Sequence, residues 1–239
     1  MVAVPASMSS KPRVVGLLVA RELDILDQLL GAPDRPFLAI LGGAKVSDKI
    51  GFVKSLLGRA DRILIGGAMT YTFMKALGRS IGSSRAESDK LDIAGSLLKA
   101  GNEKMVLPQD HLIVQALDSP TGAKVVDGDI PGGWIGVDIG PKTISRYTQE
   151  IGRAGTVIWN GPMGKFEDPP YARGTRAIAE ALAGSSRVTV VGGGETAEAV
   201  EAFGLADKMT HVSTGGGAFL EYVEGTPFPA LAQIEDKTS

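Results

Sequence analysis

Short aliphatic and β-branched runs recur along the chain, and each runs into glycine. Residues 37–41 lead into Gly42-Gly43, and residues 63–65 into Gly66-Gly67. Residues 156–159 lead into Asn160-Gly161-Pro162, residues 188–191 into Gly192-Gly193-Gly194, and residues 211–214 into Gly215-Gly216-Gly217. None of the runs alternates apolar with polar positions, so each predicts a strand buried on both faces, as in a parallel sheet. Between them, apolar residues take helical spacing. Val46, Ile50, Val53 and Leu57 predict a helix over 45–57. Residues 69–77, 86–100, 144–154, 172–183 and 196–203 read the same way. Strand, glycine turn and helix in alternation predict an α/β fold: a three-layer, doubly wound, mostly parallel sheet of Rossmann-like type. Right-handed crossovers then bring the glycine turns to the carboxyl edge of one sheet, where ligands sit in such folds.

Two stretches depart from this rhythm. Residues 1–14 form a Ser/Pro-rich lead-in, followed by an amphipathic helix over 15–30. Residues 115–135 hold Pro120, Gly122, Gly128, Pro131, Gly132 and Gly133 and predict a loop or irregular insertion, with room for a short hairpin. No solenoid period and no Pro/Gly linker divides the chain, so the expectation is a single domain with a leading helix.

Composition narrows the function. The 239 residues are 44% hydrophobic and 22% charged, as in ordinary globular domains. A net charge of −2 and the lack of a basic tract argue against a nucleic-acid partner. No run of 18 apolar residues predicts a membrane span, and no basic-then-apolar start predicts a secretory signal. Cysteine is absent, which excludes disulfides and thiolate metal sites and fits a cytoplasmic location. Glycine is the outlier: 32 residues, about twice the usual share of about 7%.

Glycine lets backbone N–H groups approach a ligand, and a helix starting there adds free donors and a positive dipole end. One Gly-Gly pair reads as a tight turn; five at strand ends point to phosphate. No stretch fits the Walker pattern. Residues 192–197 match the looser dinucleotide fingerprint, but far from a first strand, so an oxidoreductase domain explains one glycine turn of five. Lys45 at a helix start opposes the dipole unless it reaches a phosphate; otherwise it is a solvated lysine. Lys49, one turn on, reaches the same polyanion or pairs with Asp48 or a glutamate elsewhere. Glu195 fits a helix cap and a Mg²⁺ ligand equally. His111 and His211 lack metal or catalytic spacing, and His211 reads as structural. Transfer between phosphate and carboxylate oxygens needs neither, because both nucleophiles are already anions.

Residues 35–50 (RPFLAILGGAKVSDKI), 136–141 (GVDIGP), 159–167 (WNGPMGKFE), 192–196 (GGGET) and 213–218 (STGGGA) together resemble the phosphoglycerate kinase family, in family order and over nearly all of residues 13–235. The resemblance implies the Mg-ADP/ATP-binding carboxyl-terminal half of a two-domain enzyme. That enzyme moves a phosphoryl group between 1,3-bisphosphoglycerate and ADP. The phosphoglycerate-binding amino-terminal domain would be absent. It implies an interdomain helix at 15–30, a nucleotide-binding domain at 31–226 and a tail at 227–239 that returns to the absent domain.

Residue by residue, the resemblance implies that Lys45 follows the transferring phosphoryl and Lys49 meets the α-phosphate. Gly193, Gly194 and Thr196 would donate to phosphate oxygens, with Asn160 beside them and Glu195 on Mg²⁺. Glu167 would hold the ribose. Gly43, Ala44, Gly66, Gly67, Gly136, Val137 and Pro162 would surround the nucleoside. Gly215, Gly216 and Gly217 would point N–H groups at the phosphoryl in a closed state. Four positions depart from the family pattern: Glu195 where Asp is usual, Ala68 for glycine, Arg85 about where a leucine covers the base, and Lys165 for a small apolar residue. The expectation for this chain alone is nucleotide binding with little or no turnover; a non-catalytic nucleotide-binding module is the alternative.

Overall fold

A computed structural model describes residues 13–234. After α1 (Leu17–Gly31) come β1 (Phe37–Leu41), α2 (Ile50–Leu57), β2 (Arg62–Ile65), α3 (Met69–Ala76) and α4 (Leu91–Gly101). Then follow β3 (Met105–Val106), β4 (Asp110–Val114), β5 (Lys124–Asp127), β6 (Ile135–Ile139), α5 (Pro141–Arg153), β7 (Thr156–Asn160) and α6 (Arg173–Ala183). The described chain closes with β8 (Val188–Gly192), α7 (Gly194–Ala202), β9 (His211–Val212) and α8 (Gly217–Glu224).

Six strands form one parallel sheet in the order β3-β2-β1-β7-β8-β9. Their apolar residues serve both faces. Phe37, Ala39 and Leu41 face a core shared with α1, α2, α3, α4 and α8, while Leu38, Ile40, Val157 and Trp159 face one shared with α5, α6 and α7. This is the three-layer, doubly wound α/β arrangement that the unalternating runs predict. The chain winds outward from β1 through β2 to β3, then returns to the other side of β1 at β7. The order therefore reverses between β1 and β7, and that reversal opens a crevice at the carboxyl edge.

The helix expected over 45–57 starts later: Ser47–Lys49 is a single 3₁₀ turn and α2 begins at Ile50. The helix expected over 86–100 likewise begins at Leu91. Glu87 accounts for both differences. It is extended, and its Oε2 accepts from the Val46 N–H at 2.5 Å and the Ser47 N–H at 3.2 Å. That contact satisfies the loop's donors without a helix.

Residues 115–135 are not wholly irregular. They include β5, which pairs antiparallel with β4, and β4 pairs with β6 in a separate three-stranded sheet. The helix expected from 144 starts at Pro141 instead, where proline suits the first position. Its missing cap comes from afar. Buried Asp110 accepts from the Lys142 N–H (2.9 Å), the Thr143 N–H (2.8 Å) and the Thr143 hydroxyl (2.6 Å).

The amphipathic reading of the leading helix holds for α1 in part. Leu26 and Leu29 are buried, whereas Leu17 is 92% exposed and Leu18 61%. The lead-in over residues 1–12 and the last five residues of the tail lie outside the described residues.

Candidate nucleotide site

Sheet register sets Leu41, Asn160 and Gly192 side by side at the carboxyl edge. The Asn160 side chain spans this row: its Nδ2 donates to the Gly192 carbonyl at 2.8 Å, and its Oδ1 accepts from Lys49 Nζ. Lys49 Nζ also donates to the Asn160 carbonyl at 2.9 Å. Lys49 is only 9% exposed. Burial pulls its pKa down to about 8, against the opposing pull of Glu195 and Asp48. A buried ammonium facing an open strand edge is poised for an anion.

The start of α7 lies beside it. Gly193 caps the helix at φ +93°, and a Cβ there would sit 2.7 Å from Asn160 Nδ2, so only glycine fits. The next turn leaves the N–H groups of a helix start without intrahelical partners, a ready anion site. Thr196 Oγ1 accepts from the Gly161 N–H at 2.6 Å and locks the neighbouring turn.

Next to this polar row is a cavity of about 290 Å³. Gly43 and Ala44 line it from the turn after β1, Gly67 and Ala68 from the turn after β2, Gly136 and Val137 from β6, Pro162 and Glu167 from the loop after β7, and Glu195 from the first turn of α7. The walls are knit by backbone bonds. Gly43 N–H donates to Pro162 O (2.9 Å), Gly67 N–H to Met163 O (2.9 Å), and Lys165 N–H to Val137 O (2.9 Å). Behind Val137, buried Asp138 accepts from the Ile139 N–H (2.9 Å) and the Gly174 N–H (2.6 Å). Burial pushes its pKa up to about 7, although both N–H groups and Arg173 resist.

The structure thus gathers Lys49, Asn160, Gly193, Gly194 and Thr196 at the reversal point, with Gly43, Ala44, Gly67, Gly136, Val137, Pro162, Glu167 and Glu195 around the adjoining cavity. Lys45 is exposed just beyond Ala44 and makes no hydrogen bond or ion pair among the described residues. Gly66 is not a lining residue; it lies beneath the wall, backed against the Met163 side chain. Gly215, Gly216 and Gly217 lie apart from the cavity, at the start of α8 beyond the edge strand β9. Glu195 is exposed and forms no side-chain cap on α7, so the capping alternative is not realised.

Sequence reasoning missed Tyr71, Leu117, Ile135 and Met163, which also line the cavity. It also missed Glu22 on α1, whose carboxylate accepts from the Thr214 N–H at 2.9 Å and lies 3.0 Å from His211 Nε2. His211 therefore serves the fold by facing α1.

A family model described as phosphoglycerate kinase matches residues 1–226. The chain belongs to the phosphoglycerate kinase family. It is 47% identical over 237 residues to the phosphoglycerate kinase of Latilactobacillus sakei, covering 99% of this chain and 59% of that protein. It is 50% identical over 232 residues to that of Dictyoglomus turgidum, covering 95% and 58%. The solved phosphoglycerate kinase of Coxiella burnetii superposes with a TM-score of 0.88 at 40% identity, covering 91% of this chain and 57% of that one. The chain thus spans a little under three-fifths of the length of the phosphoglycerate kinases it matches. Ala68, Arg85, Lys165 and Glu195, the four positions expected to depart from the family pattern, all line the cavity.

Proposed function

We propose that this chain is the Mg-ADP/ATP-binding part of a phosphoglycerate kinase, with its nucleotide-binding domain over residues 31–226. The observation that carries the reading is the meeting of a base-sized cavity with a buried lysine and a helix N-terminus at the point where strand order reverses. The base occupies the cavity and Glu167 meets the ribose hydroxyls. The phosphates run along Lys49, Asn160, Thr196 and the start of α7. An anion at one helix start gains ~0.3–1 kcal/mol, and more where partly buried. Lys45, free at the mouth, neutralises the transferring phosphoryl group.

Among the described residues no cluster of three or more His, Asp or Glu side chains could hold a metal ion. The donor set is one exposed carboxylate, Glu195. That fits a Mg²⁺ that keeps its water and rests mainly on the nucleotide's own phosphate oxygens. Such an ion would draw charge from the phosphates.

Attack by an ADP phosphate oxygen on the acyl phosphate needs no general base, so positioning and charge neutralisation carry the reaction. The acyl-phosphate site belongs to the part of the relatives that this chain does not span. The exposed Leu17 and Leu18 on α1 fit contact with that amino-terminal domain. This chain alone therefore binds nucleotide with little or no turnover. No helix among the described residues is long and apolar enough to cross a membrane; a cytoplasmic, glycolytic setting is part of the proposed reading.

Calorimetric titration with ADP, with and without Mg²⁺, tests the reading. One saturable site that tightens with Mg²⁺ is expected. No binding at millimolar ADP by the folded chain would overturn it, and robust turnover with 1,3-bisphosphoglycerate would overturn the assignment to one half.

A further inference from the structure

We propose that Tyr71 and Arg85 read the base in the cavity, and that Arg85 makes it accept a 6-oxopurine diphosphate at least as well as an adenine one. The inference rests on the nucleotide reading above and deepens it by naming the base.

Tyr71 lines the cavity, its hydroxyl is open to that cavity, and no other described residue bonds it. A phenol open to the cavity and without a protein partner is available to a ligand group. It does not wander. Its ring packs with Met74, Ile81, Ile113 and Ile130, and lies 5.7 Å from the ring of buried His111. Its hydroxyl abuts the bare Cα of Gly136, where any Cβ would collide with it. Burial, with the nearby Asp138 carboxylate, pushes the phenol's ionisation far up, so it keeps its proton and can both donate and accept.

Arg85 reaches the same cavity from the loop before α4 and makes no hydrogen bond or ion pair among the described residues. The other cation on the wall, Lys165, is held by Asp168. A guanidinium offers a planar fork of donors and no acceptor. Guanine and hypoxanthine present two adjacent acceptors, N7 and O6, that match the fork. Adenine presents N7 beside the N6 amino group, which opposes it. The phenol oxygen can accept from the N1–H of a 6-oxopurine, completing the match.

The test titrates the whole chain, in Mg²⁺, with ADP, guanosine diphosphate and inosine diphosphate. The wild-type chain is expected to bind guanosine diphosphate within about threefold of ADP or tighter, with inosine diphosphate like guanosine diphosphate because both carry O6. Arg85→Leu, an exposed change, should weaken both 6-oxopurines about tenfold relative to ADP. Tyr71→Phe should weaken guanosine diphosphate about threefold with an unchanged melting temperature. A wild-type preference for ADP above tenfold, or a ratio that Arg85→Leu leaves unchanged, would overturn the inference while the nucleotide site stands. Failure to bind any of the three would overturn both.

Discussion

Raising the pH from 7 to 9 should weaken ADP binding by titrating Lys49. Its pKa in the free chain is about 8, set by burial. At pH 8 about half of the chains carry it neutral, and at pH 9 about nine-tenths. Phosphates arriving beside it favour the charged form. A full return to the ordinary value of 10.5 corresponds to ~3 kcal/mol of coupling. Binding then takes up ~0.1 proton at pH 7, ~0.5 at pH 8 and ~0.9 at pH 9, and the dissociation constant rises about tenfold from pH 7 to 9.

Titrating ADP in two buffers of different ionisation enthalpy gives the proton count directly. The nucleotide's own phosphate titrates near pH ~6 and contributes little in this range. Lys49→Met should abolish the uptake. Stability of the free chain runs the opposite way. Between pH 8 and 10.5 the unfolded lysine holds more protons than the folded one, so Lys49 makes the fold more stable as pH rises. Lys49 titration therefore does not itself loosen the fold at alkaline pH, and a melting temperature taken at pH 9 checks that the chain is folded. Uptake below ~0.1 proton at pH 9, or flat affinity from pH 7 to 9, would refute a contact between Lys49 and the phosphates.

Asp110→Ala should cost ~2–4 kcal/mol in urea unfolding, because it removes the remote cap of α5 and strands buried donors, while ADP affinity stays within about twofold. Asp138 has its pKa raised from 3.8 to about 7, so the folded chain holds the extra proton between those values. Its contribution to stability is full below pH 3.8 and is lost as pH rises through 7; unfolding free energies from urea titrations at pH 5 and 8 should differ by ~2–4 kcal/mol from this group in the wild type, a difference that Asp138→Asn removes. Gly193→Ala places a Cβ 2.7 Å from Asn160 Nδ2 at φ +93°, and should destabilise the chain by at least ~1–2 kcal/mol and weaken ADP about tenfold or more by calorimetry.

The parallel sheet was legible because burial on both faces leaves a plain signal: runs such as Phe37–Leu41 without a polar position. The antiparallel sheet was not. β5 is exposed or half-exposed along its length, and β4 opens with Asp110 and His111, so neither shows an apolar run. Helix starts failed for a related reason. Glu87 and Asp110 act on loops and helices 32 to 41 residues away, and no local pattern marks a cap supplied from such a distance.

The site shows the same division between what is local and what is assembled. Glycine turns announce themselves, because positive φ and close approach are demands of the backbone at one place. Lys45 and Lys49 are four apart and alike in sequence, yet one is exposed and the other is closed over by a residue 111 positions on. What separates them is the pairing of β1 with β7, which brings Asn160 beside Leu41. That pairing is a property of strand order, and it buries one lysine against Asn160 while leaving its neighbour exposed. Tyr71 was missed for the same reason: α3 is buried all round from Met69 to Met74, and only the second sheet, through Gly136, makes this one position the wall of a cavity. Residues that bind by backbone geometry can thus be read along the chain, whereas those whose chemistry depends on burial wait for the sheets to be assembled.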